Sequence, residues 1–313
     1  MIARSRSLER ISEAVGETPL VRLRHLQAAE CPDVELYLKL EYQNPGGSVK
    51  DRPALRMIQE ALRSGALTRQ KILVDSTSGN TGVAYSLYGA ALGVRVMLVM
   101  PSNVSQARKD ITQAFGTELV YSDPMEGSDG AIRLVRELVE KEPERFYYPD
   151  QYSNPNNPLA HYHGTGREIL EQVGDRITHF VAGLGTTGTC MGTSRRLHEA
   201  SAALGRRIHC VAAEPADAMH GLEGLKHLPS SIVPAIFDEG VPDERMPVGT
   251  EEGWDMAERV LEEEGLHVGH STGANVWAAV RIARRIRRGC IVTIACDRGD
   301  RYFEPLRWER PRT

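Results

Sequence analysis

The run Asn44–Pro45–Gly46–Gly47–Ser48–Val49–Lys50–Asp51–Arg52–Pro53 follows an apolar strand pattern and opens a helical one. Pro53 suits a first helical turn, and Ser48 or Asp51 could cap it. Lys50 is the residue these rules leave over, because a lysine at a helix start opposes the positive end of the macrodipole. Lysine is also scarce: Lys39, Lys50, Lys71, Lys109, Lys141 and Lys226 are all there are, and every other basic side chain except histidine is arginine. Two readings of Lys50 stand level on local features. It is a solvated lysine after a glycine turn, or an amine set at a helix start to form a Schiff base.

A second junction, Asp75–Ser76–Thr77–Ser78–Gly79–Asn80–Thr81–Gly82, follows the strand pattern ILVD. One Ser or Asn would suffice as a helix cap. This density of hydroxyl and backbone N–H donors favours a carboxylate or phosphate ligand. The third junction, Gly183–Leu184–Gly185–Thr186–Thr187–Gly188–Thr189, has the form G-x-G-x-x-G between a strand and a helix. A dinucleotide reading needs an acid roughly 20 residues on, and Glu214 stands 26 past Gly188 (214 − 188). Against it, the motif lies mid-chain after other α/β units, and its threonines suit a compact monophosphate. The motif alone leaves both open. His270–Ser271–Thr272–Gly273–Ala274 and Cys296–Asp297–Arg298–Gly299–Asp300–Arg301–Tyr302 are two further junctions that could be turns and nothing more.

These junctions need a scaffold that puts strand ends next to helix starts. Strands are expected at Val34–Leu40, Ile72–Asp75, Arg95–Met100, Glu118–Tyr121, His179–Ala182, Arg207–Ala213 and Ile291–Ala295, several apolar nearly throughout as buried parallel strands are. Helices are expected at Pro53–Arg63, Thr81–Leu92, Gln106–Phe115, Gly127–Glu140, Gly164–Val173, Thr187–Ala203 and Trp254–Glu264. The alternation predicts an α/β fold with parallel sheets covered on both faces, whose ligands bind beyond the carboxyl ends of the strands. The polar, Pro- and Asn-rich stretch Pro149–Asn157 reads as a domain boundary. Glu214–Gly249 reads as a long loop, functional or holding short helices.

The chain has 313 residues, 41% hydrophobic and 26% charged, with a net charge of −4. That is ordinary globular composition for two domains or one large unit. It gives no basic footprint for nucleic acid, and no apolar run is long enough for a membrane span. The N-terminal MIARSRSLERISEAVGETP has charge but no apolar core, so a secretory signal is not expected. Cys31, Cys190, Cys210, Cys290 and Cys296 are odd in number and scattered without C-x-x-C. A disulfide framework or metal site is therefore not expected, and a reducing cytoplasm fits.

Taken together, the junctions resemble the cysteine synthase family, within the fold type II pyridoxal-phosphate enzymes, and most of all its cysteine synthase B branch. The similarity runs in order and spacing from about Gly16 in GETPLVRL to Tyr302. It implies two doubly wound α/β domains with mostly parallel sheets and pyridoxal 5'-phosphate in the cleft between them. The smaller, mobile domain would be 40–150, and the larger 1–39 plus 151–313. By this resemblance Lys50 is the catalytic Schiff-base lysine. Thr77, Ser78, Gly79, Asn80 and Thr81 form the substrate-carboxylate loop, with Gln151 beside them and Asn80 also on the cofactor's phenolic oxygen. Gly185, Thr186, Thr187, Gly188 and Thr189 bind the cofactor phosphate, and Ser271 meets the pyridine nitrogen. Glu214 becomes structural. Two departures stand out. Ser76 replaces a usual proline, and C-D-R-G-D-R-Y replaces P-x-x-G-E-R-Y, placing Arg298 near the ring-nitrogen end.

The activity implied is β-replacement, forming L-cysteine from an activated serine, O-phosphoserine or O-acetylserine. The sulfur donor would be sulfide, thiosulfate or a sulfur-carrier protein thiocarboxylate. The implied enzyme is a cytoplasmic homodimer acting on small molecules, with no nucleic-acid, membrane or metal partner. Lys226, in a segment that resembles the B branch, is expected to meet a phosphate leaving group, against the simpler reading of a solvated surface charge. Other readings are a serine/threonine dehydratase or another β-substituted alanine synthase on the same fold. From other classes come a dinucleotide-dependent oxidoreductase and a catalytically silent protein-binding scaffold.

Overall fold

The computed structural model describes residues 7–302; residues 1–6, where the charged N-terminal stretch begins, and 303–313 lie outside it. The apolar runs fold as buried strands in two sheets. The first holds β1 (Leu20–Arg22), β2 (Val34–Leu40), β7 (His179–Gly183), β8 (His209–Pro215), β9 (Glu244–Val248) and β10 (Gly289–Ala295) in the order β1-β2-β10-β7-β8-β9. Only the β1–β2 pair is antiparallel. The second holds β3 (Ile72–Ser76), β4 (Arg95–Pro101), β5 (Glu118–Ser122) and β6 (Phe146–Tyr147) in the order β5-β4-β3-β6, all parallel.

Parallel strands leave two apolar faces to cover, and both sheets are covered on both. On the larger sheet, α1 (Arg24–Glu30), α9 (Thr250–Glu264) and α10 (His270–Ala283) pack on one face. The helices α7 (Arg167–Val173) and α8 (Gly188–Leu204) pack on the other, around Phe180, Met191 and Ile294. On the smaller sheet, α2 (Asp51–Ser64) and α3 (Asn80–Leu92) bury Ile58, Tyr85 and Tyr88 against Leu98. Helix α5 (Gly127–Lys141) buries Ala131 and Val135 on the opposite face. The remaining helices are α4 (Gln106–Ala114) and α6 (Asn156–His161). None of the helices among the described residues is long and apolar enough to cross a membrane.

The differences from the sequence reading have local causes. The helix expected over Gly164–Val173 is α6, a π-helical turn over Tyr162–Gly166, and α7. Glycines at 164 and 166 let that turn widen: a Cβ at Gly166 would stand 2.8 Å from Arg196 Cβ, and one at Gly164 2.8 Å from an Arg52 nitrogen. The supposed linker Pro149–Asn157 is packed rather than solvated, since Gln151 and Asn157 are buried. The supposed loop Glu214–Gly249 contains β9, an edge strand whose Pro247 breaks the usual signal. At the Lys50 junction, neither Ser48 nor Asp51 caps α2, for Lys50 is itself the N-cap residue.

Candidate active site

The carboxyl ends of β3, β7 and β10 open onto a cleft of about 970 Å³ with a smaller pocket at its base. Lys50 enters both. Its placement is set by Asp51, whose carboxylate accepts from the Gly46 N–H at 2.5 Å, the Ser48 N–H at 3.1 Å and the Tyr88 hydroxyl at 2.6 Å. The glycine turn is thereby folded back on the helix start. A Cβ at Gly46 would meet Asp51 Oδ1 at 2.5 Å, and Gly47 has φ of +79°, a value that favours glycine. Burial raises the Asp51 carboxyl above its ordinary range.

Thr77, Ser78, Gly79, Asn80 and Thr81 line the outer cleft with Gln151 and Lys226. Thr81 Oγ1 donates to Gln151 Oε1 at 2.9 Å, so the buried glutamine is tied to the loop from 70 residues away. Beneath the loop, Asp75 is fully buried, and burial pushes its carboxyl up to about 7. Lys226 stands with Nζ 5.1 Å from the centre of the Tyr152 ring, and its backbone N–H donates to Leu184 O at 2.7 Å. Burial lowers the Lys226 ammonium pKa, with Asp129 acting in the opposite sense.

Gly185, Thr186, Thr187, Thr189 and Ser271 line the inner pocket with Lys50 and Asn80. Gly188, between Thr187 and Thr189, packs against Asn157, where an added Cβ would fall 1.8 Å from its Oδ1. Asn157, which sequence reasoning passed over, donates to Gln151 O at 2.7 Å and to Thr186 Oγ1 at 3.0 Å, joining the two loops. His161 was passed over too. It is buried with Nε2 3.2 Å from Thr189 Oγ1 and Nδ1 3.0 Å from Thr165 Oγ1, and burial holds its pKa down to about 3, so the ring is neutral. Thr187 has φ of +71° and a buried hydroxyl with no partner among the described residues. Such a strained, unsatisfied donor at the head of α8 points to a ligand that completes it.

Arg298, expected near the ring-nitrogen end, directs its half-exposed side chain to Asp300 at 3.0 Å. Its neighbour Asp297 is buried. It accepts from Asn80 Nδ2 at 2.5 Å and from the Tyr302 hydroxyl, and burial raises its pKa. Cys296 lies beside Ser271, its thiol pushed up to about 11 by burial. Glu214 is committed elsewhere: Arg245 donates to both its oxygens, at 3.0 and 2.6 Å. The acid a dinucleotide would need is thus already paired.

Comparison with known proteins agrees with this geometry. The family model described as "Pyridoxal-phosphate dependent enzyme" matches residues 11–297. A cysteine synthase of Aquifex aeolicus is 49% identical over 300 residues, which covers 94% of this chain and 90% of that one. The chain belongs to the cysteine synthase family of pyridoxal-phosphate dependent enzymes. Cysteine synthase B of Pseudomonas aeruginosa is 40% identical over 94% of this chain and 95% of its own length. The crystal structure of a cysteine synthase from Entamoeba histolytica superposes with a TM-score of 0.92 at 32% identity, covering 100% of this chain and 94% of that one. The two-sheet, mostly parallel architecture is therefore that of fold type II, as the resemblance implied, and the cofactor is pyridoxal phosphate.

The inner pocket of this family member suits that cofactor. Gly183 and Gly185 let the 224–225 segment close against the glycine loop, since a Cβ there would strike Leu225 Cδ2 at 2.5 Å and Gly224 O at 2.3 Å. The unpartnered Thr187 hydroxyl and the threonines beside it can surround a phosphate. An amine, an amide and a serine hydroxyl line the rest of the pocket.

Proposed function

We infer that the chain is a pyridoxal-phosphate-dependent cysteine synthase that replaces the β-substituent of an activated serine with sulfur. The observation that carries this reading is the meeting, in one cleft, of an amine, a hydroxyl-rich loop for a carboxylate and a glycine–threonine loop for a phosphate. Bound there, the cofactor supplies an electron sink that acidifies the Cα–H bond of an attached amino acid. Thr186, Thr187 and Thr189, with the backbone of Gly185 and the turn held by Gly188, grip its phosphate. Asn80 faces its phenolic oxygen. Thr77–Thr81 and Gln151 hold the substrate carboxylate and fix its orientation. Lys50 takes the proton from Cα and returns it after sulfur has added to the β-carbon. Ser271 meets the ring nitrogen as a neutral hydroxyl, which favours loss of the β-substituent over transamination. In this reading residues 40–150 move as the smaller unit, and closure excludes water from the reacting centre. A homodimer and a cytoplasmic setting go with it. The five cysteines, all free, suit a reducing compartment.

Ser271→Ala tests the ring-nitrogen contact. The variant loses one hydrogen bond, about 0.5–1.5 kcal/mol, so it should fold and bind cofactor with a shifted absorbance and slower elimination. Unchanged spectra together with unchanged elimination would count against the contact.

O-phosphoserine is used as the activated serine at least as well as O-acetylserine. Lys226 supports this: it is a part-buried cation on the cleft wall, with Nζ 5.1 Å from the centre of the Tyr152 ring and Asp129 near enough to act on its charge. A leaving phosphate carries nearly two charges and gains from such a cation, whereas an acetyl group gains little. The test pairs each ester with sulfide, thiosulfate and a carrier-protein thiocarboxylate and follows cysteine formation. Lys226→Ala should lower the ratio of kcat/KM for the phosphate ester over the acetyl ester about 10-fold, since charge-assisted bonds contribute roughly 1.5–3 kcal/mol. Equal losses for both esters, or none, would remove Lys226 from the site. Pyruvate formed without cysteine from any donor would favour a dehydratase instead.

A further inference from the structure

Helix α4 carries Arg108 into the cleft that Lys226 also lines. Its Nη2 donates to the carboxylate of Glu223, and its guanidinium lies 5.9 Å from the centre of the Tyr302 ring. The pair spans the cleft, joining a helix of the smaller sheet to the loop that carries Lys226 three residues on. That loop is anchored. Gly224, between the two, has φ of +89°, its carbonyl packs where a Gly185 Cβ would be, and Lys226 is tied to Leu184. Glu223 therefore holds a negative charge at the mouth through which an anionic substrate must pass. Arg108 and Glu223 keep 31% and 47% of their side chains exposed. An ion pair so wetted is weakly held and readily exchanged.

Resting on the phosphate-ester reading above, we propose that Arg108 is the second cation of the leaving-group pocket and its specificity-determining residue, parked on Glu223 until a dianionic substituent takes its place. The chemistry of the exchange is selective. A guanidinium fork can donate two parallel N–H bonds to a phosphate, whose charge exceeds that of the carboxylate it displaces. A neutral acetyl group offers no such gain and leaves Arg108 on Glu223. Discrimination then arises from a difference between partners: the phosphate gains Arg108 and the acetyl group does not, while Glu223, which competes for Arg108 and repels the dianion, limits the size of that preference. Lys226 and Arg108 would hold the departing phosphate together.

The test uses the holoenzyme, with sulfide fixed and both esters varied, and reads the ratio of kcat/KM for O-phosphoserine over O-acetylserine. Arg108→Gln should lower that ratio by about 10-fold. Glu223→Gln should raise it several-fold, because it releases Arg108 and removes a like charge. Inorganic phosphate should compete with the phosphate ester more strongly in Glu223→Gln and more weakly in Arg108→Gln. A ratio that falls or stands still in Glu223→Gln overturns the proposal, as does an equal loss for both esters in Arg108→Gln, which would mark a purely structural strap. A second series fixes O-acetylserine and compares thiosulfate with sulfide. Effects confined to the KM for thiosulfate would assign Arg108 to the sulfur donor and overturn its leaving-group role. If Lys226→Ala lowers the ester ratio and Arg108→Gln does not, the phosphate-ester reading stands and this inference alone fails. If the unaltered enzyme makes no cysteine from O-phosphoserine, both fail.

Discussion

Lys50→Ala is expected to lose cysteine formation by about 10³-fold or more while the protein stays folded. Removing a positioned general acid–base group typically costs about 10²–10⁴-fold, and here the same amine would also anchor the cofactor. The fold should survive because Lys50 is an N-cap residue in helical conformation, φ −77°, with no side-chain cap bond to lose. The turn that places it is held by Asp51, Gly46 and Ser48 rather than by the lysine. Turnover with each ester, beside circular dichroism and a melting curve, checks both halves. Near-normal turnover without an added amine would sink the assignment.

Two residues further on, Arg52→Met is expected to destabilise the protein by about 3–5 kcal/mol, the usual consequence of removing one partner from a buried ion network. Arg52 donates to Glu41 at 2.6 and 2.8 Å and to Glu168 at 2.7 and 2.8 Å. Lys39, fully buried, donates to Glu168 at 2.7 Å and to Thr18 O at 2.6 Å. Two cations and two anions balance in a dry interior joining β2, α2 and α7; without Arg52 the set carries a net negative charge. The melting temperature should fall by roughly 5–15 °C. Acid should act in a definite direction. The network holds the Glu41 and Glu168 carboxyls below their ordinary range, so its contribution is full above the unfolded carboxylate pKa of about 4.3 and is lost as pH falls below it. The gap between the original protein and Arg52→Met should therefore narrow below about pH 4.5. Equal melting temperatures at pH 7 would refute the account of the network.

The sequence showed most clearly those features that rest on local pattern. Val34–Leu40 alternates, with Val34, Leu36, Leu38 and Leu40 as its buried apolar series, and is β2 residue for residue. The loops at 77–81 and 185–189 announced themselves because glycine and hydroxyl residues gathered where a strand met a helix. What escaped had little local signal. The three-residue β1 has no internal periodicity, and the edge strand β9 carries a proline. Helix α1 is seven residues long with Leu26 and Gln27 as its buried side chains. In the site, Asn157 matters because it reaches Thr186, 29 residues away, and Arg108 because it meets Glu223, 115 residues away. Asp297 lies in the C-D-R-G-D-R-Y junction, where Arg298 is the more conspicuous departure in sequence. Burial separates the two: Asp297 is 1% exposed, whereas Arg298 is exposed at the cleft and paired with Asp300. Gln151 and Ser271 are named by the family resemblance alone, since a glutamine in a polar stretch and a serine at a helix start are ordinary residues by themselves.

The most direct measurement is to reduce the cofactor-loaded protein with borohydride, digest it and map the pyridoxyl group. The chain offers six lysines: Lys39, Lys50, Lys71, Lys109, Lys141 and Lys226. The account predicts bleaching of the yellow absorbance and a single labelled peptide containing Lys50. A label on Lys226 or any other lysine, or a protein that takes up no cofactor, would contradict it.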